Sequence, residues 1–272
     1  MEAYLSNYET YEKHVIFNVC EGRGGIGDFT KFFMYALQEC ISNNIRMYYL
    51  TDEENPIMDS ILKIKHFKMY IHREDINNPI YIYDINLLYN LIPNTDYILS
   101  PTSMYSISNI FNKIHMPLEG VFCFSDEVKE NALTCLNKSG KYISIHLRLG
   151  DYYLETDPLY VICKTDKREY SEKQLFQFIE KNAHKTLLFF CDNASYKRRI
   201  KDKYNFINIT DFDIGHTGLS NTTYTQILNT VTEFYLLSNS ESIYVASNSG
   251  FPMMSSKFKN IAIHNINDFD KE

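Results

Sequence analysis

The sequence predicts an α/β protein with parallel sheets in two halves, divided near residue 125. Three observations carry this expectation. Short apolar runs rich in β-branched and aromatic residues alternate with longer stretches of helical period on both sides of Gly140, and that alternation builds parallel sheets. Two of the runs, His14–Cys20 and Tyr142–Leu147, pass directly into glycine-containing turns, the kind of strand end where α/β folds place their chemistry. A content of 44% hydrophobic and 15% aromatic residues in 272 is ample for one large or two small packed cores. The expected domains are 1–125 and 126–272.

The amino-terminal half opens on residues 1–13, which are polar and read as a lead-in. His14–Cys20 reads as a strand, and Phe29–Ser42, with apolar residues at 29, 32, 33, 36, 37, 40 and 41, as a helix. Arg46–Leu50 supplies a second strand and completes a β-α-β start. Between the first strand and the helix lie Gly22, Gly24, Gly25 and Gly27, followed by Asp28. Such a loop turns backbone N–H groups and a helix N-terminus toward an anion or a sugar, so Gly25 and Gly27 are candidate donor-binding residues. The glycines also fit a tight turn with no ligand. Gly22, Gly24 and Gly27 satisfy G-x-G-x-x-G, and Asp52 stands where a ribose-binding acid would, which keeps an NAD(P)-dependent oxidoreductase open. The loop lacks the Lys-Ser/Thr of a Walker-type NTPase. Further on, Ile57–Ile64 reads as a short helix, Ile80–Tyr83 as a strand and Ile85–Leu91 as an apolar segment, with Tyr97, Tyr105 and Phe111 as core aromatics.

Ser125 is the expected N-cap of a helix running to about Asn137 and closed by Lys138-Ser139-Gly140. The strand Tyr142–Leu147 follows and runs into Arg148-Leu149-Gly150-Asp151. Arg148 offers a planar fork of donors suited to paired phosphate oxygens, His146 is a neutral donor near pH 7, and Gly150 lets backbone approach a ligand closely. The same spacing also fits a plain Arg148–Asp151 ion pair at a strand end. Ser171–Asn182 reads as an amphipathic helix, Thr186–Cys191 as a strand ending in Asp192-Asn193, Tyr196–Tyr204 as a solvated helix and Asn205–Ile209 as a strand. A helix over Thr225–Ser238, a strand over Ser242–Ala246 and the turn Ser247–Pro252, opening a final helix, complete the pattern. In a parallel sheet the strand ends carrying Arg148, Asp192 and Ser247 should line one crevice. A cation, an acid and small hydroxyl donors together suit a nucleoside diphosphate.

Net charge of −7 and a pI near 5.6 argue against nucleic acid as partner and favour a small anion. The six cysteines, at 20, 40, 123, 135, 163 and 191, form no C-x-x-C pair and read as reduced core residues. Met1–Asn7 has no apolar signal region and no run reaches membrane-span length, so a cytoplasmic location is expected.

These residues resemble a family. His146-x-Arg148-x-Gly150-Asp151-Tyr152 is similar to the H-x-R-R-G-D-Y signature of GDP-fucose-dependent α-1,2-fucosyltransferases, which are related to the α-1,6 and protein O-fucosyltransferases. Phe189–Asn193 resembles their F-S-D-D strand end, Ala246–Phe251 their N-S-T-F turn, and Gly24–Asp28 lies in a loop resembling their G-G-L-G-N. The first three cover roughly residues 141–256. The resemblance implies a GT-B-like fold of two Rossmann-like domains facing a cleft, acceptor side first and nucleotide-sugar side second. It also implies inverting transfer of a sugar, most simply fucose, from a GDP-sugar to a glycan hydroxyl, with no cofactor and no metal.

Carried onto this chain, the resemblance makes Arg148 the group that binds the pyrophosphate and stabilises departing GDP, with His146 supporting it. Asp192 would contact the nucleoside and Ser249 and Phe251 would hold the diphosphate side, with Gly150, Asp151, Asn248 and Gly250 as further donor-binding candidates. The chain departs from the pattern at three places: Leu149 replaces the second arginine, Asp28 the asparagine of the glycine loop, and Met253 and Met254 the tryptophans after N-S-T-F. Gly25–Asp28 also resembles the G-x-G-D loops of other GT-B enzymes such as heptosyltransferases, in which the acid is a base. Asp28 is therefore the candidate base, and equally a first-turn acid facing helix N–H groups. His216, in a Gly-flanked loop, is a further candidate donor contact. An inactive sugar-nucleotide-binding homologue stays open beside the transferase and the oxidoreductase.

Overall fold

The computed structural model describes residues 1–18, 24–50, 61–135, 140–154, 163–219 and 222–271. Gly22, Asp52 and the start of the helix expected from Ile57 lie outside these residues. The chain forms two compact units, Met1–Cys123 and Phe124–Glu272.

In the first unit, β1 (His14–Asn18) is followed by helix α2 (Ile26–Ser42) and β2 (Arg46–Leu50), after a short helix α1 (Glu2–Ser6). With β4 (Tyr70–Ile71), β5 (Ile80–Ile82) and β6 (Tyr97–Leu99), they make a parallel five-stranded sheet in the order β4-β2-β1-β6-β5. The strand β3 (Leu62–Ile64) pairs with β7 (Phe122–Phe124) in a separate ribbon. Phe17 of β1 packs edge-on against Phe33 of α2 at 5.3 Å, and Phe33 meets Phe122 at 5.2 Å, geometry that contributes beyond area burial alone. A one-turn helix, α3, spans Ile110–Lys113.

Three expectations for this half are corrected. Residues 1–13 are no loose lead-in: the buried Tyr4 hydroxyl donates to Ile45 O at 2.8 Å, and that of Tyr8 to Met47 O at 2.5 Å. Both rings thereby staple the segment across β2, a tertiary contact that local polarity does not reveal. Leu62–Ile64, expected at the end of a helix, is a strand because β7 offers it a partner. Tyr105 is 51% exposed rather than core.

In the second unit, α4 (Asp126–Cys135) leads to β8 (Ile143–Leu147), α5 (Glu172–Lys181), β9 (Leu187–Cys191), α6 (Ala194–Lys203) and β10 (Asn208–Ile209). Helix α7 (Tyr224–Leu237), β11 (Ser242–Val245), α8 (Gly250–Lys259) and β12 (Ala262–Asn265) complete it. The sheet order is β10-β9-β8-β11-β12, all parallel, so β8 is central. Alternation of side chains along β8 divides its faces. Ile143, Ile145 and Leu147 face Leu175, Phe178 and Ile179 of α5 and Ile200 of α6. Leu188, Phe190, Ile243 and Val245 on the other face of the sheet pack with Leu236 and Leu237 of α7. Each fully buried Leu or Phe contributes about 1.5–3 kcal/mol.

Caps set the helix starts. Ser171 opens α5 by accepting from Gln174 N, Asn193 opens α6 by accepting from Tyr196 N at 2.6 Å, and Thr223 and Gln226 form a capping box on α7. Helix α6, expected to be solvated throughout, buries Lys197. The final strand β12 was not anticipated from its exposed, weakly alternating residues.

Candidate functional site

The site of the second unit is built on the carboxyl end of β8. Its register pairs His146 with Phe190 of β9 and Val245 of β11, so the residues after all three strands emerge side by side. Arg148 N–H donates to Ser247 Oγ at 2.9 Å, and the same hydroxyl donates to Arg148 O at 2.7 Å. The Asp192 carboxylate accepts Leu149 N–H at 2.8 Å and Gly150 N–H at 3.0 Å, while its Oδ2 lies 3.3 Å from Arg148 Nη1. The turn after β8 is thus held from both neighbouring strands. The three strand ends that the sequence offered do meet, and their first contacts are with one another.

Arg148 also pairs with Asp151 through Nη2, and Asp151 is 5% exposed. Asp151 Oδ2 accepts Cys163 N–H at 3.1 Å. The ion pair offered as the plain alternative is therefore present, inside a larger network. Gly150 has φ +104, a conformation that favours glycine, and a Cβ there would meet Asp166 O at 2.5 Å. Sequence reasoning missed Asp166 and Arg168. Asp166 Oδ2 lies 4.0 Å from Arg148 Nη2 and accepts Asp151 N–H at 3.3 Å, while Asp166 Oδ1 lies 2.8 Å from Arg168 Nε. Nothing in the local pattern of Cys163–Arg168 distinguishes these charges from a solvated run; only the fold brings them to β8.

His146 is 5% exposed and stacks at 27° on Phe251, centroids 5.7 Å apart. Its Nδ1 has no hydrogen-bond partner among the described residues. Burial, and secondarily the positive charge of Arg148, push its pKa down to about 3, so the ring is neutral at pH 7. Ser249 accepts Phe251 N–H at 3.3 Å as N-cap of α8, Gly250 is the first helical residue, and Asn248 is exposed just before them. A ten-residue helix therefore directs its N-terminus from the turn that follows Ser247. His216 is half-buried in the segment between β10 and α7, where its Nδ1 accepts Gly218 N–H at 3.2 Å and its carbonyl accepts the Thr222 hydroxyl at 2.7 Å.

At the end of β10 lies a cavity of about 260 Å³, lined by Ala194, Lys197 and Arg198 of α6, by Ile209, and by Thr210, Asp211 and Asp213 beyond β10. Behind its wall Lys197 Nζ pairs with Glu233 Oε1 at 2.9 Å and donates to Thr210 Oγ1 at 3.1 Å, with side chains 2% and 4% exposed for the ion pair. The Thr210 hydroxyl donates to the same carboxylate.

In the first unit, Gly25 is the N-cap of α2, and Gly27 and Asp28 lie inside its first turn rather than in a loop. The helix starts three residues earlier than periodicity indicates because Gly25 O already accepts Phe29 N–H at 2.9 Å. Asp28 Oδ1 lies 2.5 Å from Lys31 Nζ, and Lys31 is buried against the Phe32 ring at 4.3 Å. Gly24 has φ +100, and a Cβ there would fall 2.2 Å from Asp28 Oδ2. The Asp28 carboxylate therefore lies between its own helix and the glycine backbone.

With that geometry, the chain resembles solved fucosyltransferase structures. A variant of Arabidopsis thaliana FUT1 in complex with GDP superposes with a TM-score of 0.57 at 11% identity, over 97% of this chain and 73% of that one. NodZ alpha-1,6-fucosyltransferase co-crystallised with GDP gives 0.55 at 12% identity, over 90% of this chain and 91% of that one. POFUT1 in complex with GDP-fucose gives 0.52 at 9% identity, over 94% and 98% respectively. The fold is theirs. No family model and no curated protein matches the chain. At these identities the likeness extends to the parallel-sheet GT-B architecture, and the chemistry rests on the residues themselves.

Proposed function

We propose that this chain is a glycosyltransferase that moves fucose from GDP-fucose to a glycan hydroxyl, inverting the anomeric centre without a metal ion. The observation that carries this reading is the Arg148 guanidinium, anchored through Ser247 and Asp192 at the end of the central strand. Beside it are a neutral buried His146 and the N-terminus of α8, in a fold shared with structures of GDP and GDP-fucose complexes.

In the proposed reaction the acceptor oxygen forms a bond to the sugar C1 while the C1–oxygen bond to the diphosphate breaks, and that electron pair leaves with GDP. Negative charge grows on the departing diphosphate, where Arg148 and the N–H groups of Gly250 and Phe251 would stabilise it. His146, neutral at pH 7, would donate one hydrogen bond without adding charge. The nucleoside would enter the cavity beside α6, whose Asp211 and Asp213 suit a base edge rich in N–H donors. Asp28 is the proposed base for the acceptor proton, with Lys31 holding its carboxylate.

Thermal-shift screening against GDP-fucose, GDP-mannose, UDP-sugars and NAD, with and without EDTA, followed by a transfer assay with the stabilising donor, tests this reading. GDP ligands should stabilise the chain equally in EDTA, and Arg148→Ala should weaken GDP by about tenfold to a hundredfold. Stabilisation by NAD alone, by no nucleotide, or only with a divalent ion would sink it. Among the described residues no helix is long and apolar enough to cross a membrane.

A further inference from the structure

We infer that Arg168 supplies a second guanidinium to the diphosphate of the donor, held beside Arg148 by Asp166. This rests on the nucleotide-sugar reading above and extends it to a residue remote from the β8 signature.

The charge balance of the cluster motivates it. Arg148 and Arg168 are surrounded by Asp151, Asp166 and Asp192, so two cations face three carboxylates and the assembly is net negative. A diphosphate adds at least two more negative charges. Arg148 alone, already engaged by Asp151 and Asp192, is a poor counterion for it. The residue after Arg148 cannot help, because Leu149 is 6% exposed and packs in the core cluster beneath the sheet.

Arg168 is placed to fill that need. Its backbone N–H donates to Leu149 O at 2.8 Å, which pins it against the β8 turn. Its Nε lies 2.8 Å from Asp166 Oδ1, and the side chain is 42% exposed. Its terminal nitrogens have no protein partner among the described residues. The other Asp166 oxygen faces Arg148 Nη2 at 4.0 Å, so one carboxylate separates two guanidinium groups. Guanidinium forks pair with phosphate oxygens bidentately. A diphosphate can span the pair, with Asp166 acting as the spacer that positions both.

Calorimetric titration of the full chain with GDP and with GMP, for wild type, Arg168→Gln and Arg168→Lys, tests the assignment. Arg168→Gln should weaken GDP by about tenfold and GMP by less than about twofold, the difference marking contact with the second phosphate. Arg168→Lys, which keeps the charge and loses the fork, should fall between. Equal losses for both nucleotides, or no loss in a variant with wild-type Tm, would overturn the role of Arg168 while leaving the donor reading intact. Failure of the wild-type chain to bind GDP would overturn the donor reading and this assignment with it. Should Arg168→Gln not fold, Arg168→Lys decides alone: a GDP-to-GMP preference equal to wild type overturns the inference, and a reduced one supports it.

Discussion

Arg148 and Ser247 exchange two hydrogen bonds through a single hydroxyl, which accepts the Arg148 amide at 2.9 Å and donates to the Arg148 carbonyl at 2.7 Å. The bond pair joins the ends of β8 and β11, and it fixes the backbone from which the guanidinium projects. Ser247 is 5% exposed, so water does not readily replace it. Ser247→Ala should cost about 1–3 kcal/mol, the penalty for leaving buried backbone groups unpaired. Under the proposed function it should also weaken GDP several-fold, because Arg148 loses its anchor while keeping its charge. Urea unfolding and GDP titration on the same preparation check both; unchanged stability would show that the turn is held by Asp192 alone.

Lys197 and Glu233 form a buried ion pair whose partners cannot be separated cheaply. Lys197→Met leaves the Glu233 carboxylate buried with, among the described residues, only the Thr210 hydroxyl to satisfy it, and should cost about 3–5 kcal/mol. The double variant Lys197→Met, Glu233→Leu should regain most of that loss, since desolvating neither charge offsets losing their attraction. Equilibrium unfolding of both variants decides the matter. A double variant as unstable as the single one would mean that the network is valued for packing around Thr210 rather than for charge.

His146 gives the fold an acid-sensitive element. Burial first, and the neighbouring Arg148 charge second, hold its pKa at about 3, below the 6.5 of an unperturbed ring. Below pH 6.5 the unfolded chain therefore binds a proton that the folded chain refuses, and stability falls as pH falls until about 3. Each pH unit in that window costs at most about 1.4 kcal/mol from this residue. Between pH 7 and pH 5 the wild type should lose about 2 kcal/mol more than His146→Gln, measured as the difference in urea unfolding free energy. Equal losses would show that His146 reaches water or a partner in the folded state.

Much of the architecture is legible in the sequence because its signals are local. Tyr142–Leu147 and Thr186–Cys191 have the length and composition of buried strands, and Arg148, Asp192 and Ser247 follow strand ends that the parallel sheet brings together. What escaped depends on partners distant in sequence. Leu62–Ile64 becomes a strand only because Phe122–Phe124 pairs with it, and Tyr4 and Tyr8 are core only because their hydroxyls reach the carbonyls of Ile45 and Met47. Lys197 sits among Arg198, Arg199 and Lys201 and looks solvated, yet Glu233 draws it inside. Asp166 and Arg168 belong to the Arg148 cluster through tertiary contacts that no spacing rule encodes.

Asp28 carries the remaining question of mechanism. Its Oδ1 pairs with Lys31 at 2.5 Å, and its Oδ2 lies where a Cβ on Gly24 would intrude. The same carboxylate thus lies against the Gly24 backbone and in an ion pair with Lys31, and a general base must have such an oxygen within reach of the acceptor hydroxyl. Under the proposed function, Asp28→Asn should leave GDP affinity nearly unchanged and lower kcat by roughly a hundredfold, the scale for losing a positioned base. Asparagine retains the size and one acceptor oxygen, so the turn should survive with a stability loss of about 1 kcal/mol. Lys31→Met separates the two roles: it removes the partner of Asp28 without removing the carboxylate, and should lower kcat less than Asp28→Asn does. Side-by-side kcat, GDP affinity and Tm for both variants provide the check. A near-normal kcat in folded Asp28→Asn would leave Asp28 as the anchor of the glycine turn and move the base to another residue.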